Sequence, residues 1–79
     1  MSILVTRQTP ALATDVRFDM DRLQVQLSDG REITAPLEWF PKLRDATPEQ
    51  RAGWRLIGKG VGIHWEEIDE DLSVAGLLR

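Results

Sequence analysis

The residues that could do chemistry lie mostly in the last third of the chain, where the single histidine meets a run of carboxylates. His64 is followed by five acidic residues, Glu66, Glu67, Asp69, Glu70 and Asp71. With no cysteine and no second histidine, a zinc site would need carboxylates for its other ligands. The acidic run also lacks the glycine and the alternating ligand positions of a calcium loop. We therefore predict no metal site, and we expect His64 to hydrogen-bond a neighbouring strand or one of these carboxylates.

Two further patterns resemble catalytic or phosphate-binding motifs but have the wrong context. Neither Ser28 nor Ser73 lies in the Gly-x-Ser-x-Gly sequence of a nucleophilic serine. The glycine-rich segment at residues 58–62 follows a predicted helix and precedes a strand, whereas phosphate loops lead from a strand into a helix. These glycines fit a helix stop and a close crossing of two backbones, with a bound ligand as the alternative. The sequence predicts no catalytic residue, no cofactor and a protein that is not an enzyme.

The composition is that of one small globular domain covering residues 1–79. The chain is 42% hydrophobic and 29% charged, carries a net charge of −3 and has no cysteine. Cysteine-free chains suit a reducing compartment, and no apolar run reaches the length of a membrane span, so we expect a cytoplasmic protein. The acidic balance disfavours a dedicated nucleic-acid binder. Residues 41–65 are nevertheless basic and residues 66–79 acidic, so we expect these two segments to lie side by side.

Apolar and polar residues alternate over residues 12–20, 23–28 and 33–37, which predicts three strands in an antiparallel meander. Pro36, near the end of the third strand, predicts that this end either lies at an edge of the sheet or stops pairing. Residues 3–5 could add a short edge strand of their own.

The turns of the meander follow from the rule that residues opposed across a hairpin share a face. A three-residue loop at residues 28–30 keeps the apolar face whole, with Val25 opposite Ile33 and Gly30 in the left-handed conformation. The first hairpin needs an even loop, which we assign to residues 21–22, with Phe18 opposite Val25.

The period becomes helical after the meander. Leu37, Phe40 and Leu43 predict a first short helix. A second helix should begin with the capping box of Thr47 and Gln50, run to about Ile57 and end at Gly58 or Gly60. A fourth short strand should follow at residues 61–65, and Ser73 should cap a last helical turn. The predicted fold is α+β: an antiparallel β-meander packed against two short helices, with a fourth short strand after the helices.

Several motifs together resemble a bacterial family of small domains of unknown function. They are LSDGR at residues 27–31, PL at 36–37, WFP at 39–41, ATPEQR at 46–51, WRLIG at 54–58, GIHW at 62–65, DEDLSV at 69–74 and GLL at 76–78. The resemblance implies a small α+β fold with a meandering antiparallel sheet. It also implies, for some relatives, an association with a neighbouring small protein in the manner of toxin–antitoxin pairs.

These observations favour a protein-interaction or regulatory module, an acidic antitoxin-like partner of a small basic protein. Trp39 is the expected apolar anchor, because the junction between strand and helix cannot bury every large side chain. The expected acidic rim consists of Glu66, Glu67, Glu70 and Asp71. The alternative is a nucleic-acid contact through Arg51, Arg55 and Lys59, which recur every fourth residue as a basic face of the second helix. A homodimer is a further expectation, because a cysteine-free chain of this length buries only a small core.

Overall fold

The computed structural model describes residues 11–78, in which short strands and helices are joined by tight turns. Two three-stranded antiparallel sheets have the strand orders β1-β2-β3 and β4-β5-β6. The first sheet comprises Ala13–Asp19 (β1), Arg22–Leu27 (β2) and Glu32–Pro36 (β3). The second comprises Trp54–Ile57 (β4), Gly62–Trp65 (β5) and Glu70–Ser73 (β6). In the chain, the two sheets are separated by a 3-10 turn, Leu37–Trp39, and by the helices Pro41–Arg44 (α1) and Pro48–Ala52 (α2). A last helix, Val74–Leu77 (α3), follows β6.

The α+β class is confirmed, whereas the arrangement of one meander with a fourth strand was wrong. The described residues contain a second three-stranded sheet instead of a single added strand. The strand predicted at residues 3–5 lies outside the described residues. Within residues 11–78, no helix combines the length and the hydrophobicity that crossing a bilayer requires.

The turn between β2 and β3 has the predicted three-residue loop. Val25 is opposite Ile33, the Leu27 amide donates to the Arg31 carbonyl at 2.8 Å, and Gly30 has a φ of 95°. Face parity therefore sufficed to choose this loop length.

The turn between β1 and β2 has the predicted even length but a different position. It consists of Met20 and Asp21, so Phe18 lies opposite Leu23 and not opposite Val25. The register also shifts between Ala13 and Asp15, and this bulge buries Ala13 where strict alternation would bury its neighbours.

The predicted second helix is much shorter than expected. Its capping box is confirmed, since the Thr47 hydroxyl accepts from the Gln50 amide at 3.1 Å and the Gln50 side chain accepts from the Thr47 amide at 2.9 Å. The helix ends at Ala52, however, and residues 54–57 form β4. Trp54 and Leu56 are half-buried while the residues between and after them are exposed, which is the period of a strand.

The glycine-rich segment is a hairpin turn between β4 and β5 and does not end a helix. The close backbone crossing predicted there is confirmed at Gly60, whose carbonyl accepts a hydrogen bond from the Ala13 amide at 2.7 Å. Gly60 has a φ of 115°, and a Cβ at this position would lie 2.5 Å from the Ala13 carbonyl oxygen. Only glycine fits this contact between β1 and the turn.

The inner faces of the two sheets supply most of the core. Trp65 and Ile63 of β5 and Val25 of β2 are fully buried. The helical segments add Leu37 and Leu43 to the core, so the predicted buried residues of the first helix are confirmed. That helix is not continuous, because a 3-10 turn and α1 are separated at residue 40. The predicted cap of the last helical turn is confirmed, because the Ser73 hydroxyl accepts from the Gly76 amide at 2.9 Å.

Candidate interaction surface

Trp39 is held on the surface by the segment that leads from β3 into α1. Leu37 before it is buried, Phe40 after it is half-buried, and the Phe40 amide donates to the Leu37 carbonyl at 2.9 Å. The 3-10 turn thus anchors its apolar neighbours in the core and turns the indole outward. Trp39 is 70% exposed, an unusual exposure for the largest apolar side chain.

A groove of about 390 Å³ lies beside Trp39. It is bounded by residues 33–35 of β3, by Trp39 and Phe40, and by Ser73, Gly76 and Leu77. None of these residues is charged. The groove therefore joins an exposed aromatic ring to an apolar wall and to the outer strand of the first sheet, which is the character of a site for another macromolecule.

The four predicted rim carboxylates lie on two neighbouring elements, the turn after β5 and the strand β6. Glu66 and Glu67 lie in the turn after β5, where Glu66 pairs with Arg55 at 3.0 Å and Glu67 accepts from Gln50 at 3.4 Å. They are thus directed toward β4 and α2. Glu70 and Asp71 lie on β6, the strand that ends at Ser73 in the groove. Asp71 and Ser73 are both exposed and share a face of β6.

Two further acidic residues directly adjoin groove residues in the chain. Glu38 directly precedes it and pairs with Arg44 at 3.2 Å. Glu32 begins β3 beside Ile33, a residue of the groove wall. Sequence reasoning missed both, although their positions next to the predicted anchor and in the edge strand could have identified them.

The basic alternative loses its geometric basis. Arg51 lies on α2, Arg55 on β4 and Lys59 in the β4–β5 turn, so these residues do not form one helical face. Their four-residue spacing is interrupted because the helix ends before Trp54.

Arg51 has a structural environment. Its guanidinium donates to the Leu43 carbonyl at 2.9 Å and to the Arg44 carbonyl at 2.8 Å. It also lies 5.6 Å from the centre of the Phe18 ring. These contacts satisfy the carbonyl groups at the end of α1, as cationic side chains do at helix C-termini.

His64 makes the contact expected from its position on β5. Its Nδ1 contacts the Asp71 carboxylate, and its Nε2 lies 3.6 Å from the Glu66 carboxylate. Arg55 is opposite His64 in β4 and also pairs with Glu66. The acidic and basic segments therefore do lie side by side, as the charge pattern predicted. No cluster of three ligating side chains suited to a metal ion occurs within residues 11–78.

Two carboxyl groups in turns have pKa values below the usual value of 3.8. The backbone amide of Arg31 donates to Asp29 at 3.0 Å and lowers its pKa, with a further contribution from the Arg31 side chain. A side-chain hydrogen bond from Arg44 lowers the pKa of Asp45, and the same bond raises the pKa of Arg44. Neither pair lines the groove.

These features define a small α+β domain of two antiparallel sheets with an uncharged groove beside an exposed tryptophan. The chain belongs to the DUF2442 family of proteins of unknown function, whose model matches residues 13–79. It is similar to a crystal structure of a protein of unknown function from Rhodospirillum rubrum ATCC 11170, with 32% sequence identity and a TM-score of 0.75. That similarity covers 89% of this chain and 87% of the other. No curated protein sequence matches the chain. The resemblance to a family of unknown function is thus confirmed.

Proposed function

We propose that this domain is a non-enzymatic interaction module that binds a small basic protein, in the manner of an antitoxin, in the cytoplasm. The observation that supports it is Trp39, 70% exposed at the rim of an uncharged groove. Tryptophan is enriched among the residues that dominate binding energy. A tryptophan that is exposed in the unbound protein contributes to affinity because a partner that covers it removes its apolar surface from water.

The charge of the protein supports a basic partner. The net charge is −3, and Glu32, Glu38 and Asp71 lie next to groove residues in sequence or along a strand. Acidic residues around an apolar anchor increase the association rate with a basic surface, while the anchor supplies most of the affinity. Glu66 and Glu67 do not line the groove and contact Arg55 and Gln50 instead, so they contribute through the overall negative charge.

The test is affinity capture from a lysate of the native cells with three baits: the natural chain, Trp39→Ala and Met20→Ala. Met20 is 86% exposed at the β1–β2 turn and is the matched control for losing an exposed apolar side chain. We expect a basic protein to be captured by the natural chain and by Met20→Ala but not by Trp39→Ala. Equal capture by all three baits would contradict the proposal.

The same capture experiment also tests the nucleic-acid alternative. Recovered nucleic acid that disappears with Arg55→Ala and at raised salt would favour the alternative function, since phosphate contacts weaken steeply with salt. Sedimentation of the purified chain addresses the homodimer. A dimer that Trp39→Ala converts to a monomer would identify a second copy as the occupant of the groove.

A further inference from the structure

The outer edge of β3, which pairs with no strand within residues 11–78, forms one wall of the groove beside Trp39. We infer that an extended segment of the partner pairs with this edge as a fourth strand of the first sheet. Its alternate apolar side chains enter the groove, and its basic side chains lie beside Glu32. The inference rests on the proposed function and specifies how the partner is held, through backbone hydrogen bonds as well as contact with Trp39.

The register of the first sheet determines which backbone groups face the open edge. The Leu27 amide donates to the Arg31 carbonyl at 2.8 Å, so this pair is of the hydrogen-bonded type. Hydrogen-bonded and non-hydrogen-bonded pairs alternate along an antiparallel ladder. Ile33 is therefore bonded to β2, whereas Glu32 and Thr34 direct their N–H and C=O groups away from it.

These groups lack a strand partner within residues 11–78, because β3 is the last strand of its sheet. Unpaired edge groups are a template for another strand. Pro36 ends the usable edge because it has no N–H. The edge thus accommodates a short segment of roughly four to six residues, the common length of a strand.

A strand added to this edge would have two chemically different faces. On the core face it would meet Ile33 and, across the groove, Phe40 and Leu77. On the outer face it would meet Glu32 and Thr34, which are both exposed. Because side chains alternate between faces, the segment should alternate apolar residues with polar or basic ones.

The charges near the edge favour a basic segment. No salt bridge within the described residues involves Glu32. Arg31, just before the strand, is paired with Asp29 at 2.8 Å. Arg22 lies opposite Pro36, past the last outward N–H. Opposite charges facing each other across strands are stabilising, so a lysine or arginine should lie opposite Glu32.

The probe for this inference is a capped synthetic hexapeptide of alternating lysine and valine. Two matched peptides carry N-methyl groups on the lysine amides or on the valine amides. In an antiparallel arrangement, the residues that bond Glu32 and Thr34 lie directly opposite them and are the lysines. In a parallel arrangement, the bonding residues are the valines. N-methylation of one set therefore removes the hydrogen bonds to β3, and methylation of the other set spares them.

We expect the parent peptide to bind and to slow hydrogen exchange of the Thr34 amide. One N-methylated peptide should bind at least about tenfold more weakly, a loss on the order of one hydrogen-bonded contact pair, and the other should bind like the parent. Equal affinity of all three peptides would overturn the inference, as would no binding of the parent at about 1 mM, the weakest affinity worth assigning to a specific site.

Two variants of the protein separate this inference from the proposed function. Thr34→Pro removes one of the two outward N–H groups of the edge, and Thr34→Ala keeps it. Capture of the native partner should be lost with proline, whereas alanine, which removes only side-chain contacts of Thr34, should weaken it much less. If Trp39→Ala abolishes capture while Thr34→Pro does not, strand addition is wrong and the interaction module stands. If Thr34→Pro fails to fold, the pair of N-methylated peptides decides the question without it.

Discussion

The Ala13 amide donates a hydrogen bond of 2.7 Å to the Gly60 carbonyl, and this contact ties the first strand of one sheet to a turn of the other. Leu12 contributes to the same crossing, since a Cβ on Gly60 would lie 2.9 Å from its Cβ. A side chain at Gly60 would therefore separate the two sheets at this point.

Gly60→Ala should destabilise the fold strongly. The left-handed φ of 115° and the contact at 2.5 Å from the Ala13 carbonyl act together, and we expect a loss of about 3 kcal/mol or more in the free energy of unfolding. Gly30→Ala is the control, because its φ is 95° but no atom lies within 4 Å of the added Cβ. It should lose only about 1–2 kcal/mol. If urea titrations gave equal losses in the free energy of unfolding for Gly60→Ala and Gly30→Ala, the close contact between Gly60 and Ala13 would be contradicted.

Trp39→Ala should leave the free energy of unfolding within about 0.5 kcal/mol of the natural chain, as for exposed positions in general. Trp65→Phe should cost roughly 1–3 kcal/mol, because Trp65 is fully buried and its Nε1 donates to the Arg51 carbonyl at 2.9 Å. Chemical denaturation measures both. A large loss for Trp39→Ala would mean that the indole supports the fold and is not available as an anchor.

Arg51→Ala should destabilise the domain by about 1–3 kcal/mol, because the Arg44 carbonyl loses its guanidinium donor and the Leu43 carbonyl keeps only the 3.3 Å hydrogen bond from the Ala46 amide. Arg51→Lys should recover only part of this, since an ammonium group cannot reproduce the two-pronged geometry. Arg55→Ala, which removes an exposed pair with Glu66, should cost at most about 0.5 kcal/mol. Similar thermal denaturation curves for Arg51→Ala and Arg55→Ala would contradict the structural role of Arg51.

The turn at Asp29 should contribute a pH-dependent part of the stability. The pKa of Asp29 is lowered below 3.8 by the Arg31 amide and side chain, so the folded state favours the ionised carboxylate. This stabilisation is present above the unfolded pKa and is lost as the pH falls through the folded pKa. Asp29→Asn should flatten the dependence of the unfolding free energy on pH below about pH 4. An unchanged slope would show that the hydrogen bond does not favour the ionised form.

Local rules predicted the three strands of the first sheet and the turn between β2 and β3, but they placed the turn between β1 and β2 one residue too late. Face parity and Gly30 determine the turn between β2 and β3, and Pro36 marks the edge strand. Sequence reasoning failed where two periods competed, at residues 53–57. Arg51, Arg55 and Lys59 fit a helical spacing, whereas Trp54 and Leu56 alternate as in a strand, and pairing with Trp65 and Ile63 decides in favour of the strand.

The candidate site could be predicted only in part. The helical spacing of Leu37 and Phe40 places Trp39 out of phase with the core, so its exposure was accessible from the sequence. The groove was not, because its two walls, from β3 and α3, come from distant parts of the chain. Leu77 and Ile33 are far apart in the chain, and no local pattern indicates that both line one groove. Four acidic residues within 66–71 were predicted to form the rim of the binding surface. In the structure β6 pairs with β5, and Asp71 contacts His64.

Each sheet consists only of strands that follow one another in the chain, and this has a consequence for the folding reaction. Pairing within each half requires only short loop closures, which are kinetically favourable. The crossing of Ala13 and Gly60 joins distant parts of the chain and should form after the transition state. Gly60→Ala should therefore accelerate unfolding while leaving the refolding rate nearly unchanged. The unfolding rate of the domain is then determined by the contact between the two sheets at Ala13 and Gly60. The stability of either sheet alone does not determine it.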